Sequence, residues 1–196
     1  MQRPIFIIGQ SGAGKDTLAQ NLTKHLEQKG KIIYISTGDE LRKFTKEESF
    51  TANLARENNQ KGHIAPWFVI VGCWFKKLSE DFTGAETLLW NGTPRSVKEF
   101  EILSQMLGFY GQHADMIYLK LSDEECRRRI VERQRLEGRE ETGSEEAINN
   151  KLKFFYEGVL PSIELAKQDK NFTVHEIDGE GTREEVFEKT LKSLQV

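Results

Sequence analysis

The sequence predicts a doubly wound α/β fold, a five-stranded parallel sheet with helices on both faces. Three observations carry the prediction. Short apolar runs alternate with longer amphipathic stretches along all 196 residues. The short runs are nearly continuous in apolar character, as parallel strands buried on both faces require. A glycine-rich segment follows the first run at once and opens the first helical pattern, the arrangement that places ligands at the carboxyl ends of the strands.

The strand runs fall at residues 4–8, 31–36, 87–91, 116–121 and 172–177. Between them the helices show as apolar rows at helical spacing. Leu18, Leu22 and Leu26 form one row, with Gly30 expected as its C-cap. Trp67, Ile70, Val71, Trp74 and Leu78 form the next, and Phe100, Leu103 and Leu107 another. Ile148, Leu152, Phe155 and Val159 mark one long helix, which Pro161 is expected to kink or end. Ser122 with Glu125, and Thr182 with Glu185, have the spacing of capping boxes. No repeat and no low-complexity linker interrupts the series, so a single domain over residues 1–196 is expected.

Composition narrows the function. The chain is 30% charged and 37% hydrophobic, with a formal net charge of −3. That balance speaks against a general nucleic-acid or membrane-surface binder. The two cysteines, Cys73 and Cys126, lie too far apart for a CxxC pair, so neither a disulfide framework nor a zinc cluster is expected. The first ten residues hold too short an apolar run for a signal peptide or a membrane span. A cytoplasmic protein is the resulting expectation.

The chemistry starts at Gly9-Gln10-Ser11-Gly12-Ala13-Gly14-Lys15. Strand, glycine loop and helix come in the order a P-loop needs. Glycines let the chain curl until several N–H groups face one centre, and the helix N-terminus adds positive potential there. Lys15 then reaches the β- and γ-phosphates of a nucleotide as a mobile point charge. Asp16 stands where the general motif has Ser or Thr. An acid beside phosphate is unexpected, so it is read as facing away to cap the helix.

From this loop onward the chain resembles the adenylate kinase and UMP/CMP kinase family, in order and with matching gaps. That family's loop ends Gly-Lys-Gly-Thr, matched by Lys15 and Thr17. The resemblance implies that Gly12, Ala13, Gly14, Lys15, Asp16 and Thr17 surround the ATP phosphates. Ser36-Thr37-Gly38-Asp39-Glu40-Leu41-Arg42 resembles the family's STGD-x-LR stretch. By that likeness Thr37 and Arg42 bind the acceptor nucleotide, Arg42 as a fork on its phosphate, and Asp39 helps hold magnesium-bound water. Gly62-His63-Ile64-Ala65-Pro66 is similar to a stretch beside the acceptor base, which brings in Ile64.

Asn91-Gly92-Thr93-Pro94-Arg95 is similar to the family's Asp-Gly-Phe-Pro-Arg. Gly92 and Arg95 would meet the acceptor, and Asn91 stands in for an acid that orients magnesium waters. Arg129 and Arg133 resemble the donor-side pair, one on the ATP adenine and one on phosphate. Arg139 resembles the arginine of a short lid without a zinc-binding insert. Lys151 stands near a family arginine on the long helix, offset by one position, and Gly179 borders the donor adenine. The resemblance implies an acceptor-binding segment at about 37–66 and a lid at about 133–143, closing over phosphates.

The implied activity is transfer of a phosphoryl group from ATP to a nucleoside monophosphate with Mg2+, by a monomer that binds no nucleic acid and no membrane. Such transfer is positioning plus electrostatic stabilisation, with Lys15, Arg95, Arg133 and Arg139 as the catalytic cations. Thr37 points to AMP as acceptor. Glu99 occupies a place where the family has Gln, and a carboxylate can only accept hydrogen bonds. CMP, UMP or GMP therefore stays open, as does a nucleotide-binding module with little transfer activity or a P-loop kinase for a non-nucleotide acceptor.

Overall fold

Alternation along the first strand, β1 (Ile5–Gly9), sets the layers. Ile5 and Ile7 belong to one buried cluster and Phe6 and Ile8 to another, because successive strand side chains point to opposite faces. The computed structural model describes residues 3–60, 65–137 and 144–196. The other strands are β2 (Ile32–Ser36), β3 (Thr87–Asn91), β4 (Ala114–Lys120) and β5 (Phe172–Asp178). All pair in parallel, in the order β2-β3-β1-β4-β5. The five runs expected from sequence are these strands, each within two residues at either end.

Helix α1 (Lys15–Leu26) and the last helix, α9 (Arg183–Leu194), cover the Ile5–Ile7 face. The intervening helices are α2 (Thr37–Phe44), α3 (Phe50–Gln60), α4 (Trp67–Asp81), α5 (Val97–Tyr110), α6 (Asp123–Glu137), α7 (Glu145–Phe154) and α8 (Leu160–Ala166). Residues of α4, α5 and α8 pack on the Phe6–Ile8 face. Phe6 stacks on Trp90 at 5.4 Å between ring centres, and Trp74 of α4 meets Trp90 edge-on at the same distance. Burying one such large side chain stabilises by about 1.5–3 kcal/mol. No helix among the described residues is long and apolar enough to cross a membrane.

Local chemistry departs from expectation at four points. First, α1 ends at Leu26 with Glu27 as its C-cap, so Gly30 lies beyond it and caps nothing. Leu26 is its last buried residue, and 27–31 are exposed, leaving no packing to extend the helix.

Second, Pro161 neither ends nor breaks the long helix. A π-helical turn, Phe155–Val159, joins α7 to α8, and Leu160 N–H bonds to Phe155 O. Pro161 then falls in the first positions of α8, where a missing N–H costs little. The turn also brings Gly158 against the loop after β3. A Cβ there would lie 2.8 Å from Arg95 O.

Third, Ser122 and Glu125 make half a capping box. Ser122 Oγ accepts from Glu125 N at 3.3 Å, but Glu125's carboxylate goes to Arg128 and Arg129, and Ser122 N–H donates to Glu180 at 2.9 Å. Thr182 and Glu185 form the complete box. Fourth, Asp16 caps no helix. The N-cap of α1 is Gly14, with φ of 86° and no side-chain cap bond. That left-handed conformation favours glycine.

Candidate active site

The carboxyl ends of β1, β2 and β3 lie in register, with Asn91 facing Ile7 on one side and Ser36 on the other. The glycine loop rises from β1 at the point where the chain switches from one side of the sheet to the other. A cleft of about 950 Å³ opens there. Gly12, Ala13, Gly14, Lys15, Asp16, Thr17, Arg42, Asn91, Gly92, Arg95, Arg129, Arg133 and Gly179 line it. A second cavity of about 560 Å³ shares Lys15, Gly92 and Arg95 with the cleft and reaches Lys151. Residues far apart in sequence thus converge on one positively charged hollow.

Lys15 is held by its own loop. Its Nζ donates to Gly9 O at 2.9 Å and Gln10 O at 2.7 Å. Burial pushes the ammonium down to about 8, with Asp16 opposing and Arg95 adding to the shift. Arg95 is fixed from behind. Its Nε donates to Gly92 O at 2.9 Å, and its backbone N–H donates to Glu99 Oε2 at 2.7 Å. Burial lowers its pKa, partly offset by Glu99, while Arg42 adds to the lowering.

Arg42 reaches the same place from α2. A Cβ on Gly38 would lie 3.2 Å from Arg95 Nη2 and 3.4 Å from Arg42 Nη1, so glycine lets both guanidinium groups approach this backbone without displacement. Asp39 accepts a hydrogen bond from Arg42. Slight burial raises the Asp39 pKa, but Ser36 and Arg42 outweigh it and the carboxyl sits low. Thr37, fully buried, pairs its hydroxyl with Thr93.

On the donor side, Arg129 Nη2 donates to Gly179 O at 3.0 Å and Nε to Glu125 at 2.6 Å. Two residues singled out for the same nucleotide are therefore bonded to each other. Lys151 is half-buried, and burial lowers its pKa.

Some expected residues lie elsewhere. Glu99 lines neither cavity; it is fully buried under the loop after β3. Asp39 lines neither as well. Ile64 and Arg139 lie outside the described residues, as do Gly62, His63, Glu140 and Glu141.

Other residues escaped the sequence reading. Gln10 donates from Nε2 to Asp123 at 2.8 Å, and Tyr156 of the π-turn donates to the same oxygen at 2.7 Å, tying the glycine loop to α6 and the long helix. Tyr34 OH accepts from Asn91 Nδ2 at 2.8 Å. Period-2 alternation puts Tyr34 on the same face of β2 as Ser36, a signal available in the sequence. Nothing local marked Gly38 as the meeting point of two arginines.

Comparison with known proteins agrees with this geometry. The family model described as adenylate kinase matches residues 7–171. The chain belongs to the adenylate kinase family. It is 31% identical to an adenylate kinase of Nocardioides sp. over 194 residues, covering 98% of this chain and 97% of that one. It is 32% identical to one of Leptospira biflexa over 195 residues, covering 99% and 100%. An adenylate kinase of Thermobifida fusca is 30% identical over 192 residues, with 97% of each chain covered. As a member of this family the chain is a phosphotransferase of the nucleoside monophosphate kinase class, and the five-stranded parallel sheet is that of the adenylate kinase fold.

Proposed function

We propose that this chain moves the γ-phosphoryl group of ATP to AMP, giving two ADP. The observation that carries the reading is the convergence of Lys15, Arg42, Arg95, Arg129 and Arg133 on one cleft at the glycine loop. ATP phosphates lie on the N–H groups of residues 12–17, with Lys15 turning from its carbonyl partners to the β- and γ-oxygens. Arg129 and Gly179 hold the donor adenine. Arg42 and Arg95 fix the acceptor phosphate in line with the γ-phosphorus. Arg133, Arg139 and Lys151 add charge as the segment at about 133–143 closes and water leaves. The acceptor binds over the segment at about 37–66, with Ile64 beside its base.

The residues present fit a magnesium ion carried in with the nucleotide. Asp16 offers a carboxylate, Thr17 a hydroxyl, and Asn91 a buried Oδ1 without a hydrogen-bond partner. Magnesium needs only one or two carboxylates when phosphates and water complete its shell. Held there, it would neutralise charge on the nucleotide phosphates.

AMP is supported by Thr37 and by the names of the relatives. Glu99, the feature that argued otherwise, is occupied with Arg95 N–H beneath the loop. A monomer in the cytoplasm belongs to the same proposal, and two free cysteines fit a reducing compartment.

A coupled ADP-release assay with magnesium-ATP against AMP, CMP, UMP and GMP tests it. AMP is expected to give the fastest turnover. Faster turnover with another monophosphate overturns the acceptor assignment. Binding of ATP with no turnover on any of them overturns transfer.

A further inference from the structure

Asp16 has a neighbour that gives it a purpose. Asn91 Nδ2 donates to Asp16 Oδ1 at 2.7 Å and to Tyr34 OH at 2.8 Å. The amide orientation follows from chemistry, since a carboxylate cannot donate and the group facing it must be the NH2. Asn91 Oδ1 therefore turns the other way. It is buried, on a side chain 4% exposed that lines the cleft, and it has no hydrogen-bond partner. Leaving a buried acceptor without a donor is unfavourable, so a donor arriving with the substrate is the natural complement.

The charges in the cleft point the same way. Among the described residues two carboxylates line it, Asp16 and Glu132, and Glu132 is paired with Arg128 at 3.0 Å. Asp39 is engaged by Arg42. Lys15 gives its ammonium to two backbone carbonyls, Gly9 O and Gln10 O. Asp16 is exposed at the cleft, beside the loop expected to hold two or three phosphates. A bare carboxylate there would repel them. With a divalent cation between, the same carboxylate attracts.

We propose that Asp16, braced by Asn91, is the anionic group through which this enzyme holds the hydrated magnesium ion of its nucleotide, while Asn91 Oδ1 accepts from a metal-bound water. The inference rests on reading the cleft as a phosphoryl-transfer site. It makes the contact between Asp16 and Asn91 a working unit, with the charge on the glycine-loop side and the neutral amide at the end of β3. The competing role is favourable placement of an acid in the first turn of α1, which involves no ligand.

The test is a linkage measurement. A non-hydrolysable ATP analogue is titrated calorimetrically into wild type and D16N, each with magnesium and each in chelator. Mn2+ binding to the protein–analogue complex is followed in parallel by paramagnetic resonance. Asp16 is exposed and Asn is nearly isosteric, so D16N keeps the fold, and its melting temperature checks this.

The expected result has opposite signs in the two conditions. D16N binds the metal-free analogue as well as wild type or better, because a repelling charge has gone. It binds the magnesium complex more weakly, and its Mn2+ affinity falls about tenfold to a hundredfold. Equal magnesium dependence and equal Mn2+ affinity in the two proteins overturn the proposal alone. Wild type that binds the analogue no better with magnesium and transfers nothing to any monophosphate overturns the kinase reading, and this inference with it.

Discussion

The loop after β3 and the last turn of α2 each bring one arginine to Gly38, and they hold it differently. Arg95 is half-buried, with its guanidinium on Gly92 O and its backbone N–H on a fully buried carboxylate. Arg42 has a side chain 68% exposed and pairs with Asp39, one turn before it on the same helix. The first is fixed by the sheet before any nucleotide arrives. The second sits on an exposed helix whose ion pair is the kind that contributes about 0.3–0.5 kcal/mol. A charge held in place needs no reorganisation as the transition state forms, so it acts on rate. A charge that must be gathered acts on binding.

The largest expected effect belongs to the held side. Lys15→Ala removes the cation seated on Gly9 O and Gln10 O, and turnover should fall by about three powers of ten or more with the melting temperature retained. Steady-state assays at saturating substrates, paired with thermal melts, read this directly. Retained turnover would mean that the loop lysine is not part of the held centre.

Next comes the carboxylate under Arg95. Burial pushes Glu99 up to about 6 from 4.5. A raised folded-state value means that its stabilising share is fully present below about pH 4.5 and is lost as pH rises through 6. Wild type should therefore lose about 2 kcal/mol relative to E99Q across that window, seen in denaturant melts at several pH values. Parallel pH curves for the two proteins would mean that Glu99 is not buried as an ion beneath this loop.

A smaller effect follows from Lys15 at about 8. Loss of its proton removes a phosphate partner, so nucleotide affinity should drop by up to about tenfold per pH unit above 8 in wild type, and this drop should be missing in K15A. Binding titrations from pH 7 to 9.5 check it.

The smallest effect tests the shared point. Gly38→Ala puts a methyl group 3.2 Å from Arg95 Nη2 and 3.4 Å from Arg42 Nη1. Both contacts are the ends of flexible side chains, which can move by a few tenths of an ångström. A loss of a few-fold in kcat/KM for AMP is expected, on the order of 1 kcal/mol.

Much of this was legible in sequence, for physical reasons. The five strands showed because parallel strands buried on both faces read as apolar runs, as in residues 87–91, where every position is buried. The glycine loop showed because its conformation demands glycine, and Gly14 is left-handed at φ 86°. What stayed hidden depends on partners distant in the chain. Pro161 looked like a helix kink or end, and the chain instead continues as α8 after the π-turn before it, which is seated with Gly158 against Arg95 O. Asp16 looked like a cap, and its partner Asn91 lies 75 residues away. Glu99 looked like a base-reading residue, and its carboxylate instead meets Arg95 N–H. Each miss concerns a side chain whose role is set by tertiary contact, which periodicity does not encode.

The most direct measurement of the difference between the two arginines is the kinetic partition of R95A and R42A, with AMP varied at saturating magnesium-ATP. R95A should lose chiefly kcat. R42A should lose chiefly affinity, with KM for AMP rising by about tenfold to a hundredfold, the worth of a hydrogen bond to a charged group. If both variants lower kcat alike with KM unchanged, the loop after β3 and the last turn of α2 hold their arginines on equal terms and the account fails.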